Sequence, residues 1–405
     1  MVPLEKFRKI LHLDLDAFFC SVEELLDPSL KGKAFAVAGQ ADTRGVVSSC
    51  SYPARRRGIR SAMPTARALR LCPDLIIVTP RHHRYGVYSD KVMEILARHT
   101  ALIQQISVDE AFLDLTDLPQ TSRELAAMLQ QSIFNELQLP VSVGCASNKL
   151  VAKMATDVGK AGYTGDGTPM AITVVPPGSE ASFLAPLPVQ ALWGVGPKTA
   201  DRLKELGITH IGELAAMDDK RLTQLFGRYG VELGQHARGI DERPVSIESE
   251  TKSISQEHTF ARDVVDAQVL SDRIRELCDQ VAYRLRKGGY CATVVRLKIR
   301  YQDFSTHTHQ IQLPQPIDQD SLLYETAMQL FKDVWTPGRM VRLIGVGASG
   351  LGSSTHQLEL FDVKPEKERK LLEAVDELKQ KYGKDVIRRG SKVQSKKSRP
   401  TSDHS

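Results

Sequence analysis

Two short stretches carry acid where acid is costly. His12-Leu13-Asp14-Leu15-Asp16-Ala17-Phe18-Phe19 and Ser107-Val108-Asp109-Glu110-Ala111-Phe112-Leu113-Asp114 each set carboxylates in an apolar, strand-like run. An isolated buried carboxylate is normally paired, hydrogen-bonded or bound to a metal. Two such strands laid side by side suggest one divalent-metal site. Taken singly, each acid could equally cap a turn or pair with an arginine. Period two across residues 10–15 puts Leu11, Leu13 and Leu15 on one face and His12, Asp14 and Asp16 on the other. Spacing therefore leaves open whether Asp14 or Asp16 is a ligand. One of Phe18 and Phe19 would shape a pocket beside it, unless both are core.

Other residues suit anions. Tyr52-Pro53-Ala54-Arg55-Arg56-Arg57-Gly58-Ile59-Arg60 packs four arginines beside a tyrosine, either an anion grip or a solvated helix face. Gly159-Lys160-Ala161-Gly162 reads as a Gly-bounded loop, a phosphate grip or a helix C-cap with a favourable cation. Trp193-Gly194-Val195-Gly196-Pro197-Lys198 reads as a hairpin between two helical segments, whose second helix can offer backbone N–H groups to a phosphate. Val294–Tyr301 alternates strictly, with Arg296, Lys298 and Arg300 on one face. Residues 281–302 contain six basic residues and no acid. A sheet with one cationic face suits a nucleic-acid backbone. Gln357-Leu358-Glu359-Leu360-Phe361, just beyond the Gly/Ser-rich 350–355, looks like a docking peptide.

The elements that must position these residues follow from the same patterning. Strands are expected at 10–15, 34–38, 45–51, 75–78, 103–106, 141–146, 254–260, 294–301, 307–313 and 341–348. Helices are expected at 63–69, 84–103, 121–137, 147–157, 263–287, 321–335 and 366–382. Pro176-Pro177 marks one boundary, and a linker is placed at about 243–252.

Bulk properties narrow the class. The 405 residues are 41% apolar and 25% charged, an ordinary soluble composition with room for two to four domains. No apolar run reaches membrane-span length and residues 1–10 lack a signal-peptide core, which predicts a cytoplasmic protein. The six cysteines form no C-x-x-C pair, so reduced buried thiols are expected and a structural zinc is not. Net charge is +5, but residues 384–399 alone hold seven Lys or Arg against one Asp. That segment reads as a disordered basic arm, and the folded body must bind nucleic acid through local patches.

In this order the motifs resemble the Y-family translesion DNA polymerases, and within them the bacterial DNA polymerase IV group. The resemblance runs from about residue 8 to 361. It rests on Asp-Leu-Asp-Ala-Phe-Phe at 14–19, Tyr-Pro-Ala-Arg at 52–55, Arg-Ser-Ala-Met-Pro at 60–64, Ser-Val-Asp-Glu-Ala-Phe-Leu-Asp at 107–114, the hairpin at 193–198 and Gln-Leu-Glu-Leu-Phe. It implies a multidomain α+β right hand: a ferredoxin-like palm (1–15 and 82–172), small fingers (16–81), a helical thumb with a helix-hairpin-helix (173–243), a linker (244–252), a little finger (253–352) and a tail (353–405). It implies low-fidelity, template-dependent nucleotidyl transfer with two Mg²⁺ ions, held by Asp14, Asp109, Glu110 and the Leu15 carbonyl, and leaves Asp16 structural. Tyr52, Arg55, Lys160 and Ser49 match residues that grip the nucleoside triphosphate, and Phe19 matches a steric gate against a 2′-OH. Gly194, Gly196 and Lys198, with Arg296, Lys298 and Arg300, would contact primer-template DNA. Residues Gln357, Leu358, Leu360 and Phe361 would dock on the sliding clamp (its beta subunit). The enzyme would be a monomer with no membrane contact. Ser49-Cys50-Ser51-Tyr52 and Gly159-Lys160-Ala161-Gly162-Tyr163 depart from the family's frequent Thr-Ala-Asn-Tyr and Lys-Pro-Asn-Gly.

Overall fold

Leu11, Leu13 and Leu15 are fully buried, and so are Ile10 and His12 on the opposite face. A strand buried on both faces belongs at the centre of a covered sheet. The computed structural model describes residues 7–247, 250–353, 363–383 and 386–387. It divides into two units, 1–249 and 250–405.

The first unit runs β1 (Ile10–Leu15), α1 (Phe18–Leu26), β2 (Phe35–Ala38), β3 (Val47–Cys50), α2 (Tyr52–Arg56), α3 (Thr65–Leu71), β4 (Ile76–Val78), α4 (His82–Ala97), β5 (Ile103–Gln105), β6 (Glu110–Asp114), α5 (Ser122–Leu137), β7 (Val141–Ala146), α6 (Lys149–Ala161) and β8 (Ile172–Val174). Short helices α7 (Glu180–Leu184), α8 (Pro197–Glu205), α9 (Ile211–Ala215), α10 (Asp219–Phe226) and α11 (Arg228–Ala237) complete it. The main sheet has the order β5-β6-β1-β7-β8, and a small sheet the order β3-β2-β4. The β1 leucines pack with Tyr85, Val92, Ile95, Leu125 and Leu129 from α4 and α5. Each contributes about 2 kcal/mol of burial. On the other face Ile10 and Phe112 meet Leu150, Val151 and Met154 of α6. That second layer puts His12 and Asp14 under α6.

The second unit runs β9 (Ser253–Val264), α12 (Ala267–Lys287), β10 (Tyr290–Tyr301), β11 (Thr306–Ile317), α13 (Asp320–Val334), β12 (Val341–Ser353) and α14 (Val363–Tyr382). Its sheet has the order β11-β10-β12-β9. Val295, Leu297, Ile299 and Tyr301 are buried against Ile274, Leu277 and Leu330 of α12 and α13. The other face keeps the basic side chains. The expected strand alternation is thus realised.

Several boundaries differ from expectation, each for a local reason. The helix expected over 84–103 stops at Ala97, because Thr100 Oγ1 donates to the Asp114 carbonyl (3.1 Å) and accepts the Leu102 N–H (3.0 Å), turning the chain into β5. The expected loop at 159–162 is instead the last turn of α6. Gly159 is there for packing: a Cβ would fall 2.3 Å from Thr173 Oγ1. The expected flexible stretch after residue 349 is strand as far as Ser353, which registers with Tyr290. Helix α12 begins four residues late, at Ala267, because Asp266 caps it through Gln268 and Val269. Before the Gly194 hairpin stands a three-residue 3-10 turn, Val189–Ala191, not a helix. All six cysteines are free and buried, as expected. Among the described residues no helix is long and apolar enough to cross a membrane. Residues Gln357–Phe361 lie outside the described residues, as does nearly all of the basic arm.

Candidate active site

Asp14 is the last polar position of β1 and stands directly opposite Glu110, the first residue of β6. Asp109 precedes β6, in a turn rather than in a strand. Its side chain bonds Ser107 Oγ (2.6 Å), and its carbonyl accepts the Leu15 N–H (3.0 Å). Asp16 likewise falls beyond β1. The chain then reverses within two residues, because Ala17 takes a left-handed φ of 47°. That conformation costs a non-glycine residue about 1 kcal/mol and is typical of functional turns. It starts α1 at Phe18, so both phenylalanines follow the acid directly.

Two lysines of α6, Lys153 and Lys160, seven residues apart and so on one helix face, meet the acids from above. Lys160 Nζ lies 2.6 Å from Asp14 Oδ1 and 3.2 Å from Asp16 Oδ1. Lys153 Nζ lies 3.2 Å from both Glu110 oxygens. Burial pushes the Asp14 carboxyl up to about 7 against the pull of Lys160, and the charges of Glu110 and Asp109 add to the push. Burial works to raise Glu110 as well, but His12 and Lys153 outweigh it and hold that group low. The His12 ring is itself kept neutral by burial. Its Nε2 stands 3.8 Å from Glu110 without a hydrogen-bond partner among the described residues, while Nδ1 meets Thr156 Oγ1 at 2.9 Å. The Lys153 ammonium is therefore the main hold on Glu110. Asp16 is fully buried and satisfied by Ser142 Oγ (2.9 Å), the Met170 N–H (3.0 Å) and Tyr52 OH (3.4 Å). Its oxygens are committed to the fold.

Asp14, Leu15, Phe19, Ser49, Arg55, Asp109 and Lys160 line one open cleft of about 270 Å³. Phe18 also lines it but is only 2% exposed, while Phe19 is half-buried. The basic cluster disperses: Arg57 pairs with Asp74 (2.6 Å) and Arg56 reaches the Asp166 carbonyl (3.3 Å). Arg55 alone enters, its guanidinium over the Tyr52 ring at 4.8 Å and its Nε donating to the Cys50 carbonyl (3.1 Å). Burial pushes the Tyr52 hydroxyl up, so it stays a neutral donor. Lys160, expected to face a phosphate, is bound here to carboxylates.

Among the described residues no three His, Cys, Asp or Glu side chains are gathered closely enough to hold an ion. The donor set nonetheless fits a hard cation. It offers only oxygens, and the three carboxylates Asp14, Asp109 and Glu110 outnumber Lys153 and Lys160. Sequence reading missed Lys153 and His12; the i, i+7 spacing to Lys160 and the i, i−2 spacing to Asp14 were the available signals.

Gly194 has φ 96°, which favours glycine, and its carbonyl accepts from Tyr229 OH (2.9 Å). Gly196 precedes α8, and Lys198 is exposed in its first turn. On β10, Arg296 bonds Gln310 (3.0 Å) and Arg300 bonds Thr306 (2.9 Å). Lys298 is not free of acid. It pairs with Glu257 of β9 at 2.8 Å, reaching across Gly345 of the intervening β12.

Comparison with known proteins matches this arrangement to one family. The profile of the impB/mucB/samB family matches residues 13–157, that of its C-terminal domain residues 251–360, and the IMS family HHH motif residues 177–208. A DNA polymerase IV of Dehalococcoides mccartyi is 39% identical over 387 residues, 95% of this chain and 97% of that one. A DNA polymerase IV of Bacillus velezensis is 38% identical over 403 residues, 97% and 95% of the two chains. A chimera of the Y-family polymerases Dbh and Dpo4 has a TM-score of 0.74 at 26% identity, covering 85% of this chain and 99% of that one. An insertion ternary complex of Dbh DNA polymerase has a TM-score of 0.60 at 26% identity, covering 84% and 98%.

Proposed function

We infer the working of the site from one premise: the chain belongs to the impB/mucB/samB family of Y-family DNA polymerases and is a DNA-directed DNA polymerase that performs template-dependent DNA synthesis. We propose that it extends primers across damaged template with low fidelity, by a two-metal mechanism in this cleft. The observation that carries the reading is the facing of Asp14 and Glu110 across β1 and β6, with Asp109, Phe19 and Arg55 around the same opening.

Asp14, Asp109, Glu110 and the Leu15 carbonyl would hold two Mg²⁺ ions. Bound there, the ions would acidify the primer 3′-OH and neutralise charge on the departing pyrophosphate. The chain's own residues do the rest. Arg55 presents a guanidinium to the triphosphate, and Tyr52 and Ser49 offer hydroxyls beside it. Lys160, which holds Asp14 in this structure, would be free to turn its ammonium to the same phosphates if that carboxylate held a cation. Phe19 lies flat beneath the sugar and excludes a 2′-OH. The Gly194–Lys198 hairpin and the Arg296, Lys298 and Arg300 face each hold DNA backbone without reading bases. The domains divide as the family resemblance implies: palm 1–15 and 82–172, fingers 16–81, thumb 173–243, linker 244–252, little finger 253–352 and tail 353–405. The protein works as a cytoplasmic monomer and docks on the sliding clamp through Gln357, Leu358, Leu360 and Phe361. Deleting 357–361 should then reduce processivity only when clamp is present.

Primer extension on plain and lesion-bearing templates tests the reading. Synthesis past the lesion, dependent on added Mg²⁺, is expected. Synthesis that halts at every lesion on an otherwise good template contradicts it.

A further inference from the structure

Glu23 is a fully buried carboxylate that the chemistry above does not use. It sits on α1, one turn beyond Phe19 and on the same face. Arg81 forks onto it, with Nε 3.0 Å from Oε1 and a terminal nitrogen on Oε2. The Tyr85 hydroxyl donates to Oε1 at 2.6 Å and accepts the Arg81 backbone N–H at 3.0 Å. Tyr85 is 1% exposed, and its ring lies almost parallel to Phe19, 4.1 Å between centroids and 13° between planes. His82 stands edge-on to both rings, and Phe18 edge-on to Tyr85. The contacts close a circuit: Phe19 stacks on Tyr85, Tyr85 is pinned by Glu23, and Glu23 returns to the helix that carries Phe19.

A fully buried carboxylate, paired with an arginine that is half exposed, is an expensive way to fill this space. Apolar side chains of similar volume usually stabilise a core as well or better, and what a fully satisfied polar network adds is a single fixed geometry. Tyr85 without its hydroxyl partners could slide in its plane. With them, the face against Phe19 is fixed in two directions. Only Phe19 of the two rings lines the cleft.

We propose that Glu23, Arg81 and Tyr85 are positioning residues that fix the Phe19 ring and so set how strongly the enzyme discriminates against ribonucleotides. This rests on the reading of Phe19 as the sugar gate. The network touches no substrate. It acts by denying Phe19 the small displacement that would clear a 2′-OH.

The test is kcat/KM for a matched deoxynucleotide and its ribonucleotide on primer-template DNA. It compares the wild type with Tyr85→Phe, Glu23→Gln, Tyr85→Leu and Phe19→Ala. Discrimination should fall roughly threefold in Tyr85→Phe and Glu23→Gln, and roughly tenfold in Tyr85→Leu, the scale of an aromatic stack. The change should lie in the ribonucleotide KM, with deoxynucleotide kcat/KM of the two mild variants within about twofold of wild type. If Tyr85→Leu does not fold, the two mild variants decide the matter. A merely structural role would slow both nucleotides alike and leave their ratio unchanged. That result, beside a relaxed Phe19→Ala, overturns the positioning role alone. Unchanged discrimination in Phe19→Ala overturns the gate and the positioning role together.

Discussion

The acidic cleft of the first unit and the cationic sheet face of the second both carry dense charge, and they hold it in opposite ways. In the cleft Asp14 and Glu110 are largely buried and paired with Lys160 and Lys153 at 2.6–3.2 Å, the Asp14 carboxyl pushed up by burial and Glu110 held low. On the sheet, Arg296 is exposed, and Arg296 and Arg300 bond the neutral side chains of Gln310 and Thr306. Burial makes each charge in the cleft depend on its neighbours, so one substitution leaves an uncompensated group. Exposure makes each charge on the sheet replaceable and screened by salt. Chemistry is expected to need the first kind of charge, and sequence-independent grip the second.

Substitutions test that contrast, and the largest effects belong in the cleft. Glu110→Gln should cut the extension rate by about 1000-fold, the several kcal/mol that metal-held charge contributes. A loss under tenfold in single-turnover extension would break the contrast. Phe19→Ala should relax sugar discrimination by about 100-fold, read as the ratio of kcat/KM for deoxy- and ribonucleotide. Arg55→Ala should raise the nucleotide KM about tenfold with a smaller change in kcat, because a charged hydrogen bond to phosphate exists in both ground and transition states. On the sheet, Lys298→Ala should weaken primer-template binding only a few-fold, equally for all sequences. It should also lower the slope of log K against log salt by about 1. Glu257→Gln should do the reverse, raising affinity slightly at low salt, since it removes the acid paired with Lys298. A sequence-dependent loss in Lys298→Ala would give the sheet a reading role it is not assigned here.

The two regions were also unequally legible. Alternation alone exposed the β10 face, because a half-buried strand writes its burial into every second residue. What it hid was Glu257, some forty positions away, which reaches Lys298 only because Gly345 stands between them with no side chain. In the cleft, alternation found β1 but not its double burial, and the strand-like stretch 107–114 is strand only from Glu110, which leaves Asp109, like Asp16, outside the strands. The choice between Asp14 and Asp16 is not written in the period of β1. It depends on Ser142 and the Met170 backbone, which occupy Asp16 from over a hundred residues away. Gly159 and Lys160 read as loop because glycine usually ends helices, whereas here it lets α6 press against Thr173. The Glu23, Arg81 and Tyr85 network carried no local signature, since Glu23 stands 58 and 62 residues from its two partners.

One measurement addresses the central claim, that the cleft acids serve chemistry and not grip. Asp109→Ala protein is assayed in parallel for single-turnover primer extension with Mg²⁺ and for primer-template binding at the same salt. The account predicts extension lost and the dissociation constant within about twofold of wild type. Extension near the wild-type rate, or a binding loss as large as the loss of extension, would contradict it.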